Sequence, residues 1–239
     1  MIAAMSSTPP SDTSTGPALA RHAVRTVTQH PVLAASLLVA AVAAVVVSAL
    51  IGLNVLVTIV LLGVVAVGAA ALVALWYRRR PLEQPVSRPT AGRVGLAAVA
   101  ISGVATFALI QLVPYGRDHT NPPVTGEPQW ADARTRQLMV DACFSCHSNE
   151  TEYPAYASVA PFSWAVQHHI DEGREAVNYS EFTTDPGDAD ETIEVIEEGE
   201  MPPAYYTRFG VHPEANLTDA QMAELIDGLR RTPGLSERD

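Results

Sequence analysis

The feature that most constrains this chain is an uncharged apolar run that extends from residue 32 to residue 77. A helix crosses the apolar core of a bilayer with about 20 residues, so this run is long enough for two crossings. It is also longer and more uniformly apolar than a signal sequence or a buried helix of a soluble protein. Gly52 and Asn54 tolerate turn conformations. We therefore predict membrane spans at about 32–51 and 55–77, joined by a tight turn.

A second apolar segment occupies residues 95–114 and has the length of one crossing. Its alanine, glycine and serine side chains lower its hydrophobicity but suit close packing between helices in a membrane. We predict a third span here, so that residues 32–114 form an anchor in the lipid bilayer.

The positions of the arginines predict the orientation of this anchor. Arg21 and Arg25 precede the first span, and the turn at 52–54 has no arginine. Five more lie between the second and third spans: Arg78, Arg79, Arg80, Arg88 and Arg93. Because cytoplasmic segments are enriched in basic residues, we expect the N-terminus and this loop in the cytoplasm. Three spans then place the chain after residue 114 at the outer face of the plasma membrane.

The net charge changes sign along the chain. Residues 1–117 contain eight arginines and two acidic residues, whereas residues 118–239 contain seven arginines and 24 acidic residues. An acidic surface excludes the electrostatic attraction to phosphates on which nucleic-acid binding depends. It favours membrane redox proteins with a basic docking patch as partners.

Composition and periodicity predict four parts. Residues 1–31 are rich in Ser, Thr, Pro and Ala and are predicted to form a disordered cytoplasmic tail, followed by the anchor. Residues 115–129 are rich in Pro and Gly and are predicted to form a semi-extended linker. From residue 130 to 239 the apolar residues recur at helical spacing and no run alternates as a strand. The stretch TDAQ at 218–221 is a predicted capping box at the start of the last helix. The predicted fold class is all-α, with three transmembrane helices followed by a small helical domain.

Both cysteines of the chain lie in the stretch CFSCH, as Cys143 and Cys146, with His147 directly after them. A disulfide here would close a very short loop and stabilise little. A thioredoxin-like dithiol is expected after a strand, and a zinc site needs further ligands at suitable spacing. Covalent attachment of haem accounts for all three residues, because two thiols add to the vinyl groups while the imidazole reaches the iron. The motif therefore favours one covalent haem c with His147 as the proximal ligand.

The stretch EGEMPP at 198–203 supplies a candidate for the distal ligand. The glycine of this stretch is a predicted helix C-cap. Met201 follows that helix end and precedes two prolines, so it lies in a stiff loop instead of on an apolar helical face. A thioether is a common second ligand of haem iron in electron-transfer proteins. His169 is the alternative, because it falls on the apolar stripe of the helix predicted over 162–177. Arg174 could pair with a haem propionate, although a solvated arginine among acidic residues explains it equally well.

Two longer stretches carry a resemblance to a known family. They are ACFSCHSNETEYPAYASVAPFSWAVQHHIDEGREAVNYSEF and, further on, EVIEEGEMPPAYYT. Residues 130–232 resemble the bacterial haem-binding domain family, a cytochrome c-like group. The resemblance implies haem c on Cys143 and Cys146, with His147 as proximal ligand, and its own GEMPP motif supports Met201. Members of this family often have a single amino-terminal anchor, so three spans are a departure.

These observations predict a multi-pass plasma-membrane protein with an extracytoplasmic monohaem c-type cytochrome domain. Its expected task is single-electron transfer, as an electron carrier and not an enzyme, because two protein ligands leave the iron no open site. Resemblance to other c-type cytochromes implies that haem is attached outside the cytoplasm, in agreement with the arginine positions. Two alternatives stay open: a haem-based sensor or ligand-binding module, and a haem-bearing structural subunit of a larger membrane redox complex.

Overall fold

The computed structural model describes residues 31–50, 52–81, 86–208 and 212–235. Within these residues it contains α-helices and short 3-10 helices and no β-strand, which confirms the predicted all-α class. The predicted tail at 1–31 falls, apart from Pro31, outside the described residues, as does part of the arginine-rich loop, at 82–85. The α-helices are α1 (Pro31–Leu50), α2 (Val55–Arg78), α3 (Arg88–Ile110), α4 (Ala133–Ala142), α5 (Phe144–His147), α6 (Phe162–Ala176), α7 (Thr192–Glu197), α8 (Ala204–Thr207) and α9 (Asp219–Arg230).

The chain forms two compact units. The first takes in the described residues up to Ala44 together with Ile59–Thr106, and therefore holds most of α2 and α3. The second takes in Val45–Thr58 and the described residues from Phe107 on, so the turn between α1 and α2 belongs to it. Each unit has its own internal contacts.

In the first unit, α2 and α3 approach each other through small residues. The hydroxyl of Ser102 donates a hydrogen bond to the carbonyl oxygen of Val65 at 3.0 Å. A side chain at Gly68 would collide with the Ser102 hydroxyl, so the glycine makes this approach possible. Small residues at a helix interface allow the backbones of membrane helices to pack closely.

Two helices, not the predicted three, are long and apolar enough to cross a membrane within the described part of the chain. They are α2 and α3, whose most apolar windows have mean hydropathies of 2.8 and 1.9. The predicted first span at 32–51 coincides with α1. The part of α1 whose side chains the structure describes, Leu37–Ala49, is too short to cross a bilayer and forms only a short apolar helix.

The third predicted span, 95–114, is shifted in the structure to Arg88–Ile110. The helix begins earlier because Ser87 and Thr90, whose hydroxyl oxygens lie 2.8 Å apart, flank its first turn, and Pro89 is tolerated there. It ends earlier because the next amides close tighter turns: Leu112 N–H donates to the carbonyl oxygen three residues before it. Pro114 has no N–H with which to continue the helix.

The core of the second unit forms where α4 and α9 pack together. Its largest fully buried side chains include Leu138, Met139, Phe144, Leu225 and Leu229. Both helices begin at side-chain caps: Asp132 accepts from an amide of the first turn of α4, and Thr218 forms the predicted capping box with Gln221 at α9. The caps satisfy amides that a helix start leaves without partners.

The predicted linker at 115–129 has no regular secondary structure, but it is not a free tether. The hydroxyl of Tyr115 donates to Asp171 on α6 at 2.8 Å, and the amide of Gly126 donates to the carbonyl oxygen of Ser180 at 3.0 Å. These partners lie more than 50 residues further along the chain. Composition alone gives no sign of them, so the stretch resembles a solvated linker in the sequence.

Glu127 is the best-anchored residue of this linker. Its carboxylate accepts two hydrogen bonds from the Arg136 guanidinium, at 2.6 and 2.7 Å, and one from the Trp130 indole N–H at 2.7 Å. The Arg136 hydrogen bond holds the pKa of the Glu127 carboxyl below its usual value of 4.5. Charge-assisted two-point bonds of this kind are stronger and more specific than ordinary surface ion pairs.

We expect Glu127→Gln to lower the free energy of unfolding of the full chain in detergent by about 1–2 kcal/mol. Because the folded carboxyl pKa is depressed, the carboxylate stabilises the fold above the unfolded pKa. The difference between wild type and variant should therefore shrink as the pH falls below about 4.5. Glu224→Gln, which disrupts an exposed pair with Arg134, is the control and should cost less than about 0.5 kcal/mol. An equal loss of unfolding free energy in both variants would show that the pair of Glu127 and Arg136 stabilises the fold no more than an exposed ion pair does.

Candidate functional site

A cavity of about 240 Å³ lies between α5, α6, α7 and the segment that leads into α8. The structure brings most of the predicted site residues to its walls. They are Cys143, Cys146, His147, Met201 and the alternative ligand His169. Residues from two segments some fifty positions apart therefore meet around one space, as the sequence predicts for a cofactor held from two sides.

The orientation of His147 is set by a hydrogen bond to the backbone. Its Nδ1 lies 3.1 Å from the carbonyl oxygen of Val177, directly after α6. A carbonyl oxygen only accepts, so Nδ1 carries the hydrogen and Nε2 of the neutral ring carries the lone pair. Burial lowers the pKa of the imidazole, which keeps the ring neutral at neutral pH. A neutral imidazole fixed in this way is the form that a metal requires of a histidine ligand.

The two cysteines are free thiols. Burial raises the pKa of Cys143 to about 12 and that of Cys146 to about 11. Redox-active cysteines have lowered pKa values and exist partly as thiolates, so these two do not fit a reactive dithiol. Among the described residues no group of three or more His, Cys, Asp or Glu side chains could hold a metal ion, which leaves the zinc interpretation without ligands.

A glycine in the middle of α6 lets α5 approach closely. A Cβ atom at Gly173 would lie 2.7 Å from the carbonyl oxygen of Cys146 and 3.0 Å from its Cβ. The amide of Tyr179 donates to the carbonyl oxygen of His147 at 2.8 Å and ties the other end of α5 to the chain after α6. Neither Gly173 nor Val177 was predicted to be part of the site. An isolated glycine inside a helical pattern is a sign of close backbone approach and marks Gly173.

Met201 is placed by the way α7 ends. Gly199 takes a positive φ of 75°, as predicted for a helix C-cap. The amides of Glu200 and Met201 both donate to the carbonyl oxygen of Val195, at 2.9 and 3.1 Å. These bonds turn the chain back over the helix end, so the methionine lies at the cavity with 36% of its surface exposed.

Both ring nitrogens of His169 already have partners. Nε2 donates to the carbonyl oxygen of Gly52 at 2.7 Å, which leaves Nδ1 to accept from the hydroxyl of Tyr205 at 3.1 Å. Binding a metal through either nitrogen would require one of these hydrogen bonds to break. The geometry thus favours Met201 over His169 as the distal candidate.

Arg174 is engaged away from the cavity. Its guanidinium donates to the carbonyl oxygen of Ser148 at 2.9 Å, to Asn121 at 3.1 Å and to Thr151 at 3.3 Å. Arg174 is not among the residues that line this cavity. In the structure it connects the linker to the loop after the CFSCH stretch, and its contact with a propionate stays a prediction.

A second cavity, of about 370 Å³, adjoins the first. Cys146, Tyr205 and Tyr206 line both cavities. The second cavity is also lined by the aromatic side chains of Tyr156 and Phe162.

The residues around the first cavity fit an iron porphyrin by the chemistry of their donor atoms. They offer a neutral imidazole whose Nε2 carries the lone pair, a thioether, and two thiols at the sequence spacing of a CxxCH haem-attachment motif. Aliphatic and aromatic residues such as Val195, Ile196 and Tyr179 supply the apolar remainder of the wall.

We expect Gly173→Ala to lower the free energy of unfolding by about 1–3 kcal/mol, because the added methyl group meets backbone atoms of Cys146 that cannot move aside. Gly63→Ala is the matched control, since a Cβ there meets no atom within 4 Å. Thermal unfolding of the full chain in detergent, followed by tryptophan fluorescence, provides the comparison. A Gly173→Ala variant as stable as the control would contradict the close approach of α5 to α6.

Comparison with known proteins matches residues 105–231 to the haem-binding domain family. No curated protein and no solved structure matches the chain. The match begins within α3, covers the packed linker and continues through α9, so it includes both the CFSCH and the EGEMPP stretches. It covers more than half of the 239 residues, and the chain therefore belongs to the haem-binding domain family.

Proposed function

We propose that this protein is a membrane-anchored monohaem c-type cytochrome that transfers single electrons at the outer face of the plasma membrane. The observation that carries the proposal is the convergence of Cys143, Cys146, His147 and Met201 on one cavity in a haem-binding domain. Haem iron bound there would supply reversible one-electron chemistry. The protein residues supply attachment, ligation and exclusion of water.

Each of the four residues has a distinct role in this proposal. Cys143 and Cys146 hold the porphyrin edge through thioether bonds, formed when the thiols add to the two vinyl groups. His147, fixed by its bond to Val177, would hold the iron through Nε2. Met201 would hold it through its thioether, and such a ligand raises the reduction potential relative to a second histidine.

Attachment by two thiols suits a small domain outside the cytoplasm. A bound cofactor adds apolar contacts that a domain of about a hundred residues otherwise lacks. Covalent attachment prevents loss of the cofactor to the surroundings.

The proposed membrane location is supported by the two long apolar helices and by the arginine positions. The start of α2 and the end of α3 belong to the same compact unit as the haem-binding domain. Two antiparallel crossings would place these two ends on one side of a bilayer. That side is the one opposite the arginine-rich loop between α2 and α3, and so the outer side.

The acidic surface supports a partner of opposite charge. Residues 118–239 carry 24 acidic residues against seven arginines, and complementary charge accelerates encounter more than it tightens binding. A membrane redox protein with a basic patch fits this surface. The anchor would hold the domain near such partners and raise its effective concentration there.

Covalent attachment is tested by replacing both cysteines. In Cys143→Ala/Cys146→Ala we expect no haem on the polypeptide after denaturation, because both thioether bonds are lost, whereas the wild type retains it. Haem staining of denaturing gels gives the readout. Ser145→Ala, which changes a residue between the two thiols, is the control and should stain like the wild type. Retained haem in the double variant would disprove covalent attachment.

The distal ligand is tested by a pair of variants. We expect Met201→Ala to lose the methionine-to-iron absorption band of the oxidised protein and to lower the reduction potential, because a thioether ligand is removed. His169→Gln should retain the band. Optical redox titration of the full chain in detergent measures both properties. If the histidine variant loses the low-spin spectrum and the methionine variant keeps it, the distal ligand is His169.

A further inference from the structure

The turn between α1 and α2 contacts the haem-binding domain, although it lies outside the family match at 105–231. The carbonyl oxygen of Gly52 accepts a hydrogen bond from Nε2 of His169 at 2.7 Å. The two residues are separated by 117 positions and belong to the same compact unit. The segment predicted as a plain connection between two spans thus reaches a residue that lines the first cavity.

The contact continues from His169 to Tyr205 on α8. The Tyr205 hydroxyl donates to Nδ1 of His169 at 3.1 Å, and the two rings stack with centroids 4.7 Å apart at 24°. Burial raises the pKa of Tyr205 to about 12, so the hydroxyl keeps its proton and remains a donor. Both rings line both cavities.

Glycine is required at position 52 for two reasons. Its φ of 74° lies in the left-handed region, which side chains disfavour. A Cβ there would also lie 2.7 Å from the Tyr205 ring and 2.9 Å from Nε2 of His169. The turn therefore fits closely against these two side chains and not against open solvent.

Tyr205 lies close in sequence to Met201, separated from it by Pro202, Pro203 and Ala204. The segment 201–205 is consequently held at both ends. At its start, the amide of Met201 donates to the carbonyl oxygen of Val195. At its end, the Tyr205 ring is held by His169 and, through it, by Gly52.

We propose that the α1–α2 turn is part of the haem site and that Gly52, His169 and Tyr205 are positioning residues for Met201. This inference rests on the proposed ligation of the haem iron by Met201. It gives the anchor a role beyond attachment to a membrane, because a carbonyl group of the turn fixes the distal wall of the cavity. Weakening the hydrogen bonds that connect Gly52, His169 and Tyr205 should make Met201 dissociate from the iron more often.

The test is the rate at which carbon monoxide binds to the ferrous full chain in detergent, a reaction that requires Met201 to dissociate. Tyr205→Phe removes only the hydroxyl that donates to His169 and keeps the ring. Loss of one hydrogen bond predicts a rate about two- to tenfold above wild type, with the methionine-to-iron band of the oxidised form retained. Gly52→Ala should give a larger increase, and Gly63→Ala, which meets no atom within 4 Å, should give none.

A second pair of variants separates positioning from general loosening. His169→Leu removes the donor to Gly52, whereas His169→Gln keeps an amide N–H near the position of Nε2. We expect the leucine variant to bind carbon monoxide faster than the glutamine variant by about two- to tenfold. If Gly52→Ala fails to fold, Tyr205→Phe and the two His169 variants still decide the question.

Wild-type rates in Tyr205→Phe, His169→Leu and Gly52→Ala would overturn the inference while leaving the proposed function intact. Loss of the methionine-to-iron band in Met201→Ala would confirm that Met201 binds the iron in the wild type whose carbon monoxide binding rate is the reference. A wild-type protein without such a band would overturn both the ligand assignment and this inference.

Discussion

The hydrogen bond between Nδ1 of His147 and the carbonyl oxygen of Val177 is the interaction on which the rest of the site depends. It determines which ring nitrogen carries the hydrogen, and so which one is available for a metal. It also connects α5, with both thiols beside it, to the end of α6. The missing side chain at Gly173 permits this contact, because α5 can then lie directly against α6.

The site is built from two sides by different means. On the side of His147, a short helix packs on a longer one through backbone contacts. The side of Met201 depends on a helix end: the Gly199 cap turns the chain so that Met201 returns towards the cavity. Tyr205 and His169 then hold the far end of that loop, and the α1–α2 turn supports them. Surface charge has a different role in the proposed function, because it would favour a partner of opposite charge and does not shape the cavity.

Local signals in the sequence predicted much of this correctly. The all-α class, the Thr218 capping box and the Gly199 cap follow from periodicity and from residues that act within one helical turn. The convergence of Cys146 and Met201 was predicted from the chemistry that haem demands, and the structure places both at one cavity.

The contacts that the sequence could not reveal are those between distant positions. The bond from His169 to Gly52 spans 117 residues, and the bond from Tyr115 to Asp171 spans 56. No periodicity or composition in the sequence links the two partners of either bond. For this reason neither the contacts of the predicted linker nor the hydrogen bonds that Arg174 donates to Ser148, Asn121 and Thr151 could be predicted. The ends of α3 were also misplaced in the sequence-based prediction. They are set by hydroxyl groups at its start and by tight turns at its end, which hydropathy does not reveal.

Covalent haem attachment is measured most directly by the intact mass of the full chain, purified from a host that matures c-type cytochromes and then denatured. We expect the mass of the polypeptide plus one haem, with no pigment released into the solvent. A mass equal to that of the polypeptide alone would show that no haem is covalently bound.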